Sequence, residues 1–278
     1  MFLKRNVDLL TPQKLSPWRK ISIGTWRPTS NSSVYSSLEL EVTQLNQFLK
    51  DQEQKSGVKI NLNHFIAKAC ALMLKEYPQL NSIIRFGKIY PRKNIDLFFH
   101  VASDQQGEDL SGTVIRKADQ KSMNDIALEL ENSSQLIRTG KDPSFDVSKK
   151  TIGLLPGLAM KGLLDFLGFF MYSLNLWSPA IGSPRDAFGS MMISNIGALG
   201  AKMAFVPIAA YSRVPLILSI GKSKAAPVIK DGNVVAGQTI TLCFTFDHRI
   251  IDGVIAAKMS LFLEKLFENP EVIHSYKD

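Results

Sequence analysis

One histidine near the C-terminus stands where acid–base chemistry could be carried out. His248 follows an apolar stretch, 239–246, and precedes by four residues the aspartate of the Asp252-Gly253 pair that opens the last predicted helix. A neutral imidazole at such a strand exit can accept a proton near neutral pH, and Asp252 or a backbone carbonyl can fix its tautomer. An isolated histidine with this spacing is more often a loop residue that is hydrogen-bonded to its neighbours. The surrounding sequence therefore has to decide between a catalytic and a structural role for His248.

A second candidate group is a serine at the end of another apolar stretch. Ser194 closes residues 190–194, and Asn195-Ile196-Gly197 then reads as a turn. Taken by itself, Ser194 is read as a turn serine bonded to backbone, whose loss mainly alters stability.

Both groups lie in segments that resemble motifs of one family. Residues 246–253 resemble the Asp-His-Arg-x-x-Asp-Gly signature of the catalytic domain of 2-oxoacid dehydrogenase dihydrolipoyl acyltransferases, which share a fold with chloramphenicol acetyltransferase. The fixed positions are matched by Asp247, His248, Arg249, Asp252 and Gly253. Residues 189–197 resemble the family's Gly-x-x-x-x-Ser-Asn-x-Gly motif, and weaker similarity extends back to about Trp18. Two motifs in the family's order predict a member of this family.

The resemblance implies a role for each of these residues. His248 is expected to deprotonate the thiol of coenzyme A or dihydrolipoamide, and Ser194 to stabilise the oxyanion that forms when the thiolate attacks a thioester. Asp252 is expected to support the site through orientation or a salt bridge, with capping of the last helix as its other role. Structural support is expected from Arg249, Asn195, Gly197 and Gly253. For Arg249, an ion pair is favoured over contact with a coenzyme phosphate.

The resemblance also implies an architecture, namely a mixed α and β fold with a central mixed β-sheet flanked by helices, in a homotrimer whose active sites lie between subunits. The local patterns agree, because they mix helices and strands without a regular βαβ repeat. Strands are predicted at 34–42, 83–89, 95–102, 113–115, 190–194, 216–220, 227–229 and 239–246. Helices are predicted at 43–56 with Thr43 as N-cap, from Asn61 or Asn63 to 77, and at 122–136 and 253–267.

Residues 152–177 crowd together apolar side chains, and an insert reaching to about residue 184 is predicted relative to the family. Pro156, Lys161 and Asp165 interrupt the segment, and polar residues and prolines occupy its longest uncharged stretch, so a transmembrane span is not predicted. A buried helical hairpin, a subunit contact, a wall of an acyl pocket and a membrane-surface helix all remain open.

Composition narrows the range of partners. The 278 residues carry a formal net charge of +8 without a compact basic run. Such a charge can attract coenzyme A phosphates, acidic carrier domains or anionic lipid, whereas no nucleic-acid-binding module accompanies it. Cys70 and Cys243 lie in apolar stretches, so neither a disulfide nor a metal site is predicted. A cytoplasmic location is expected, with attachment to the membrane surface through 152–177 left open.

The predicted organisation is an N-terminal tail, 1–17, followed by one acyltransferase catalytic domain, 18–278. No lipoyl or subunit-binding domain is recognisable, so a lipoyl group is expected to arrive on a separate carrier protein. The polar C-terminus favours a free trimer over a large multienzyme core.

The alternative function is a non-catalytic trimeric scaffold or a membrane-associated binding protein that retains the fold. His64 and His100 are predicted to be packed or solvated side chains.

Overall fold

The computed structural model of the protein describes residues 4–14, 32–102, 110–139, 157–179, 184–230 and 232–276. Its strands are β1 (Lys4–Arg5), β2 (Ser33–Glu41), β3 (Ser82–Arg85), β4 (Lys88–Pro91), β5 (Leu97–Ala102), β6 (Leu110–Ile115), β7 (Leu176–Trp177), β8 (Met191–Asn195), β9 (Leu216–Ile220), β10 (Lys224–Lys230) and β11 (Asn233–Asp247). Its helices are α1 (Thr43–Ser56), α2 (Leu62–Glu76), α3 (Met123–Arg138), α4 (Gly157–Gly168) and α5 (Gly253–Glu268).

Seven of the described strands form one mixed sheet. Its order is β10-β11-β9-β8-β5-β6, and β2 also pairs with β11. Strands β5, β8 and β9 run parallel to one another, whereas β11 is antiparallel to β9, β2 and β10. The predicted mixed α and β class with a central mixed sheet is therefore confirmed.

The helices α1, α2 and α5 cover one face of this sheet. In α2 every residue from Phe65 to Leu74 is buried, which explains its almost uninterrupted apolar sequence. These helices pack on alternate strand residues such as Leu218 and Phe244. The opposite face carries a smaller cluster that contains Phe98 and Met192. The two faces of the sheet are thus both apolar at their centre.

Two of the predicted helix starts are confirmed by their caps, and one is displaced. The side chains of Asn61 and Ser122 accept hydrogen bonds from backbone amides in the first turns of α2 and α3. Thr43 was predicted to cap α1, but Val42 occupies that position and makes no side-chain cap. The hydroxyl of Thr43 instead accepts a hydrogen bond from the Gln238 amide at 3.0 Å. The Thr43 side chain therefore binds β11 of the sheet instead of capping α1.

The cap of α2 couples stability to pH through His64. The Nδ1 of His64 accepts a hydrogen bond from the Asn61 amide, which only the neutral imidazole can do. Burial lowers the pKa of His64 to about 4, against an opposing effect of Glu131. An unfolded histidine takes up its proton near pH 6.5, so the stabilisation is complete above that pH and is lost as the pH falls towards about 4.

We expect the free energy of unfolding to drop by about 1 to 3 kcal/mol across this window, after allowance for the exposed part of the ring. Urea unfolding between pH 7 and pH 4 measures the loss. The matched control is His64→Gln, because glutamine can accept the same amide in a capping box and does not titrate. The same pH dependence in both proteins would show that another group is responsible.

The N-terminal segment packs against the apolar segment near residue 175. Strand β1 pairs antiparallel with β7. Beyond it, the Oδ1 of Asn175 accepts the Val7 amide at 2.6 Å, and the Nδ2 of Asn175 donates to the Val7 carbonyl at 2.9 Å. Residues 4–14, predicted from the sequence to belong to a tail, are thus joined to the rest of the chain. The predicted boundary between residues 17 and 18 lies outside the described residues.

The apolar segment itself forms α4, a π-helical turn (Phe169–Ser173) and β7. A Cβ atom at Gly168 would lie 3.1 Å from the backbone of Tyr211, so the glycine permits close packing against the turn that precedes β9. Residues 152–156 and 180–183 of the predicted insert lie outside the described residues. No helix in the described ranges is long and apolar enough to cross a membrane.

A hairpin stands where one strand was predicted. Residues 83–89 were interpreted as a single strand, which is wrong, because β3 and β4 pair antiparallel around a two-residue turn. Phe86 and Gly87 occupy that turn with φ values of 47° and 74°. Two successive positive φ values are typical of the tight turns that match the twist of a hairpin. The hairpin tip carries Phe86 in a conformation that a bulky residue rarely adopts.

Candidate active site

His248 is held just beyond the end of β11. Its backbone amide donates to the Ser32 carbonyl at 2.7 Å. In the half-buried ring, Nδ1 lies 2.9 Å from the carbonyl oxygen of Ile251. Because a carbonyl can only accept, the neutral ring carries its proton on Nδ1 and its lone pair on Nε2. The local backbone thus fixes the tautomer in which Nε2 is the basic atom.

The residues on either side of His248 form an ion pair. The Nε of Arg249 lies 2.9 Å and 3.1 Å from the two carboxylate oxygens of Asp247, and both side chains are about 90% buried. The amide of Arg249 also donates to Asp247 at 3.0 Å. A buried pair is costly to break because the remaining charge is left without its partner. This pair therefore holds the turn in which His248 lies.

Asp252 forms the cap of α5. Its Oδ1 accepts the Ile255 amide at 3.0 Å, and a carboxylate is favourable at a helix N-terminus. Gly253 is the first helical residue, and an added Cβ would meet no atom of the described chain within 4 Å. Close packing within the chain therefore does not require glycine at this position.

Ser194 lies near the C-terminal end of β8, followed by a rigid turn. The Oδ1 of Asn195 accepts the Ala198 amide at 3.0 Å, and its Nδ2 donates to Asn63 at 3.1 Å. A Cβ at Gly197 would lie 2.7 Å from the backbone of Gly221, so only glycine allows these two chain segments to approach. Asn195 and Gly197 thus fix the turn after Ser194 against α2 and the end of β9.

A cleft of about 340 Å³, with both polar and apolar lining residues, opens beside this turn. It is lined on one side by the start of α2 and on the other by the segment after β9, and its lining residues include Asn61, Asn63, Asn195, Gly197, Lys222 and Ser223. Backbone groups, amide side chains and one cation are suitable partners for an anionic or amide-containing ligand.

The two predicted catalytic side chains lie at opposite ends of the sheet within one chain. Ser194 is paired with Ser219 of β9, which is paired with Cys243 of β11. His248 follows Cys243 by five residues, a distance of about 16 Å along an extended strand, and two strand spacings add about 10 Å across the sheet. A single subunit therefore does not bring Ser194 and His248 together.

The described chain offers no thiol or metal centre in their place. Burial raises the pKa of the Cys70 thiol to about 12 and also raises that of the Cys243 thiol, so neither thiol is activated. Among the residues that the structure describes, no group of three His, Cys, Asp or Glu side chains is placed to hold a metal ion.

One histidine that was not predicted to take part lies next to this site. In the register of β5 and β8, Phe99 pairs with Ile193, so His100 and Ser194 each follow the last pair by one residue. No local pattern signals this proximity, because the two residues are far apart in the chain and only the pairing of the strands brings them near each other.

The fold is that of the chloramphenicol acetyltransferase class. A solved chloramphenicol acetyltransferase aligns with 92% of this chain and 100% of its own, at a TM-score of 0.52 and 14% identity. Dihydrolipoamide acetyltransferase of Azotobacter vinelandii aligns with 95% of this chain and 99% of its own, at a TM-score of 0.63 and 23% identity. The role of a serine, a histidine and an asparagine in the catalytic mechanism has been investigated in that enzyme.

The chain belongs to the 2-oxoacid dehydrogenases acyltransferase (catalytic domain) family, whose model matches residues 26–155 and 185–275. The matched segments leave residues 156–184 unmatched. Among curated relatives, the dihydrolipoyllysine-residue acetyltransferase component of the pyruvate dehydrogenase complex of Staphylococcus epidermidis is 25% identical over 270 residues. The match covers 95% of this chain and 52% of that protein, so the chain spans about half the length of this relative.

Proposed function

We propose that the protein transfers an acyl group between coenzyme A and a thiol acceptor, such as a dihydrolipoyl group on a separate carrier protein. The observation that carries this proposal is the tautomer of His248, whose Nδ1 lies 2.9 Å from the Ile251 carbonyl, with Nε2 as its basic atom. Family membership supplies the reaction class, and the tautomer supplies the base that the reaction needs.

The proposed reaction is a thioester exchange. His248 takes the proton of the acceptor thiol on Nε2, and the thiolate attacks the thioester carbonyl carbon. The electron pair of the C=O bond moves to oxygen, where the Ser194 hydroxyl donates a hydrogen bond to the oxyanion. The intermediate collapses, the original C–S bond breaks, and the departing sulfur recovers the proton from His248. No net oxidation or reduction occurs.

The role proposed for Asp252 is structural support of the helix that follows His248. In the Azotobacter enzyme the asparagine that was investigated lies four residues after the histidine, as Asp252 does after His248. Its bond to the Ile255 amide supports a capping role, and no proton transfer is assigned to it.

A homotrimer is the assembly that we propose for this mechanism. Ser194 and His248 lie at opposite ends of the sheet in one subunit, so a complete site needs one group from each of two copies. Rotation about a threefold axis presents the Ser194 end of each copy to the His248 end of the next, and such a ring closes.

The cleft beside Ser194 is proposed as part of the coenzyme A site. Lys222 can pair with a phosphate of the coenzyme, and the amides of Asn63 and Asn195 are suited to the amide groups of its pantetheine arm.

Acyl transfer from a panel of acyl-coenzyme A thioesters to dihydrolipoamide tests the proposed function. Absence of turnover with every pair would favour a non-catalytic trimeric scaffold.

A specific observation favours a second property, contact with an anionic membrane surface. Four exposed apolar side chains surround the β3–β4 hairpin and the π-helical turn, namely Phe86, Phe166, Phe169 and Leu174, with exposed fractions of 67%, 61%, 45% and 40%. We call them the aromatic patch. The rings of Phe86 and Phe169 meet at 6.4 Å. Lys88 is exposed on β4, and Lys4 and Arg5 are exposed on β1, which pairs with β7. Apolar side chains together with cations suit an anionic bilayer interface.

Sedimentation with phospholipid vesicles tests this property. The protein is expected to bind vesicles containing anionic lipid at low salt, to bind neutral vesicles more weakly, and to be released at high salt. Phe86→Asp should weaken binding at least about 10-fold, because it places a charge in the apolar surface. Leu261→Asp, at a 64% exposed position on α5, is the matched control. Equal loss in both variants, or no binding, would rule out the aromatic patch as a membrane contact.

A further inference from the structure

An extended segment crosses the face of the sheet that carries Ser194. Residues 203–209 belong to no helix or strand. Ser219 follows Leu218, which packs on the helices, so the Ser219 side chain projects to the opposite face, as does that of its strand partner Ser194. The Ser219 hydroxyl donates a hydrogen bond to the Ala204 carbonyl. This bond holds the segment over the centre of that face.

The outer side of this segment is exposed and apolar. Residues 203–212 contain no charged side chain. Met203 is 57% exposed, and Leu199, in the turn after Ser194, is 69% exposed. The exposed rings of Tyr35 and Phe205 meet at 5.4 Å. Neighbouring exposed apolar groups of this kind mark an interaction site. We call Tyr35, Leu199 and residues 203–208 the apolar strip.

The backbone of the apolar strip also has unused donors. The amides of residues 203–206 and 208 make no hydrogen bond with any other residue that the structure describes. Water can satisfy these amides in a single chain, but they are equally available to a partner. An extended segment with free backbone groups and apolar side chains has the properties of a surface on which another chain packs.

The apolar strip reaches both halves of the proposed active site. Leu199 lies five residues after Ser194. At the other end, Tyr35 lies three residues after Ser32, whose carbonyl accepts the His248 amide at 2.7 Å. A copy that brings its His248 to Ser194 of the next copy therefore brings its Tyr35 towards the Leu199 end of that copy's strip. One surface then serves every contact in a closed ring.

We propose that the apolar strip joins copies of this chain, with Leu199 and Met203 of one copy packed against Tyr35 of the next. The choice of a second copy as the occupant rests on the proposed function, because acyl transfer needs Ser194 and His248 from different chains. The surface itself rests on the exposed apolar side chains and the unused amides, which belong to the structure whatever reaction takes place.

Sedimentation velocity tests the contact. The native protein should form trimers, and Met203→Asp should raise the concentration of half-dissociation at least about 10-fold, because it buries a charge in an apolar contact. Leu261→Asp on α5 and Phe86→Asp in the aromatic patch are matched controls at exposed apolar positions and should assemble like the native protein. A native protein that sediments only as a single chain, or Met203→Asp that assembles normally, would overturn the proposal.

Hydrogen exchange of the backbone amides gives a second measurement. In the native trimer, residues 203–208 should exchange at least about 10-fold more slowly than in Met203→Asp that sediments as a single chain. Leu199→Asp replaces this variant if it fails to fold. Fast exchange in the native trimer, or equal protection in the single chain, would overturn the proposal. Neither measurement uses acyl transfer, so a trimer that assembles through the apolar strip and shows no turnover would overturn the proposed function alone.

Discussion

His248→Ala is expected to lower kcat for acyl transfer by about 100-fold to 10,000-fold, with little change in KM. This is the usual contribution of a general base, and the thiol of the acceptor is mostly protonated at neutral pH without one. The deficit should shrink as the pH approaches 9, because a free thiol with a pKa near 8.5 then ionises unaided. Initial rates from pH 6.5 to pH 9.5, for the native protein and the variant, measure both effects.

His274→Ala is the control for His248→Ala, since His274 is exposed near the C-terminus and away from the sheet. It should leave kcat unchanged. Both variants must retain the native unfolding temperature and oligomeric state. Turnover in His248→Ala within about 2-fold of the native rate would contradict the role of His248 as the base. It would favour the alternative function, a non-catalytic trimeric scaffold.

Ser194→Ala is expected to lower kcat by about 100-fold to 1,000-fold, because the oxyanion loses a donor that strengthens in the transition state. The loss should persist at pH 9, where that of His248→Ala declines, since a missing oxyanion donor is not replaced by hydroxide. The two variants are therefore distinguished by their pH profiles as well as by their rates. Turnover close to the native value would assign Ser194 to the turn alone.

The same pair of variants tests whether the active site is shared between subunits. In trimers assembled from equal amounts of Ser194→Ala and His248→Ala chains, about a quarter of the sites combine an intact serine with an intact histidine. Activity should therefore return on co-expression of two inactive chains. A mixture in which one partner carries both substitutions is the control and should stay inactive. No recovery in the first mixture would contradict a site formed between copies.

Local sequence patterns predicted the parts of the site that a single segment determines. The fixed spacing of His248 and Asp252 follows from a strand exit and a helix start, and both elements were correctly predicted. The position of His100 could not be predicted, because parallel pairing of β5 with β8 joins residues almost a hundred positions apart. Sequence periodicity reports which face of a strand is buried and does not identify its neighbour in the sheet.

The same distinction applies to the fold. Helices α2, α3 and α5 carry their start signals in their own sequences, so their predicted bounds are close to those observed. The β3–β4 hairpin was missed because apolar residues continue through its turn, where Gly87 was the available signal. The packing of residues 4–14 depends on β7 and on Asn175, which no local pattern connects to the N-terminus.

Strand β11 is the longest of the described strands, and it follows all of its partner strands in the chain. It pairs with β2, β9 and β10, and its partner β2 is synthesised about two hundred residues earlier. The edge of β2 therefore lacks this partner until β11 has been synthesised, and such an edge is a site of faulty association. Closure of this part of the sheet, and with it the placement of His248, has to wait until β11 has been synthesised, so shielding of β2 during that interval should raise the yield of active protein.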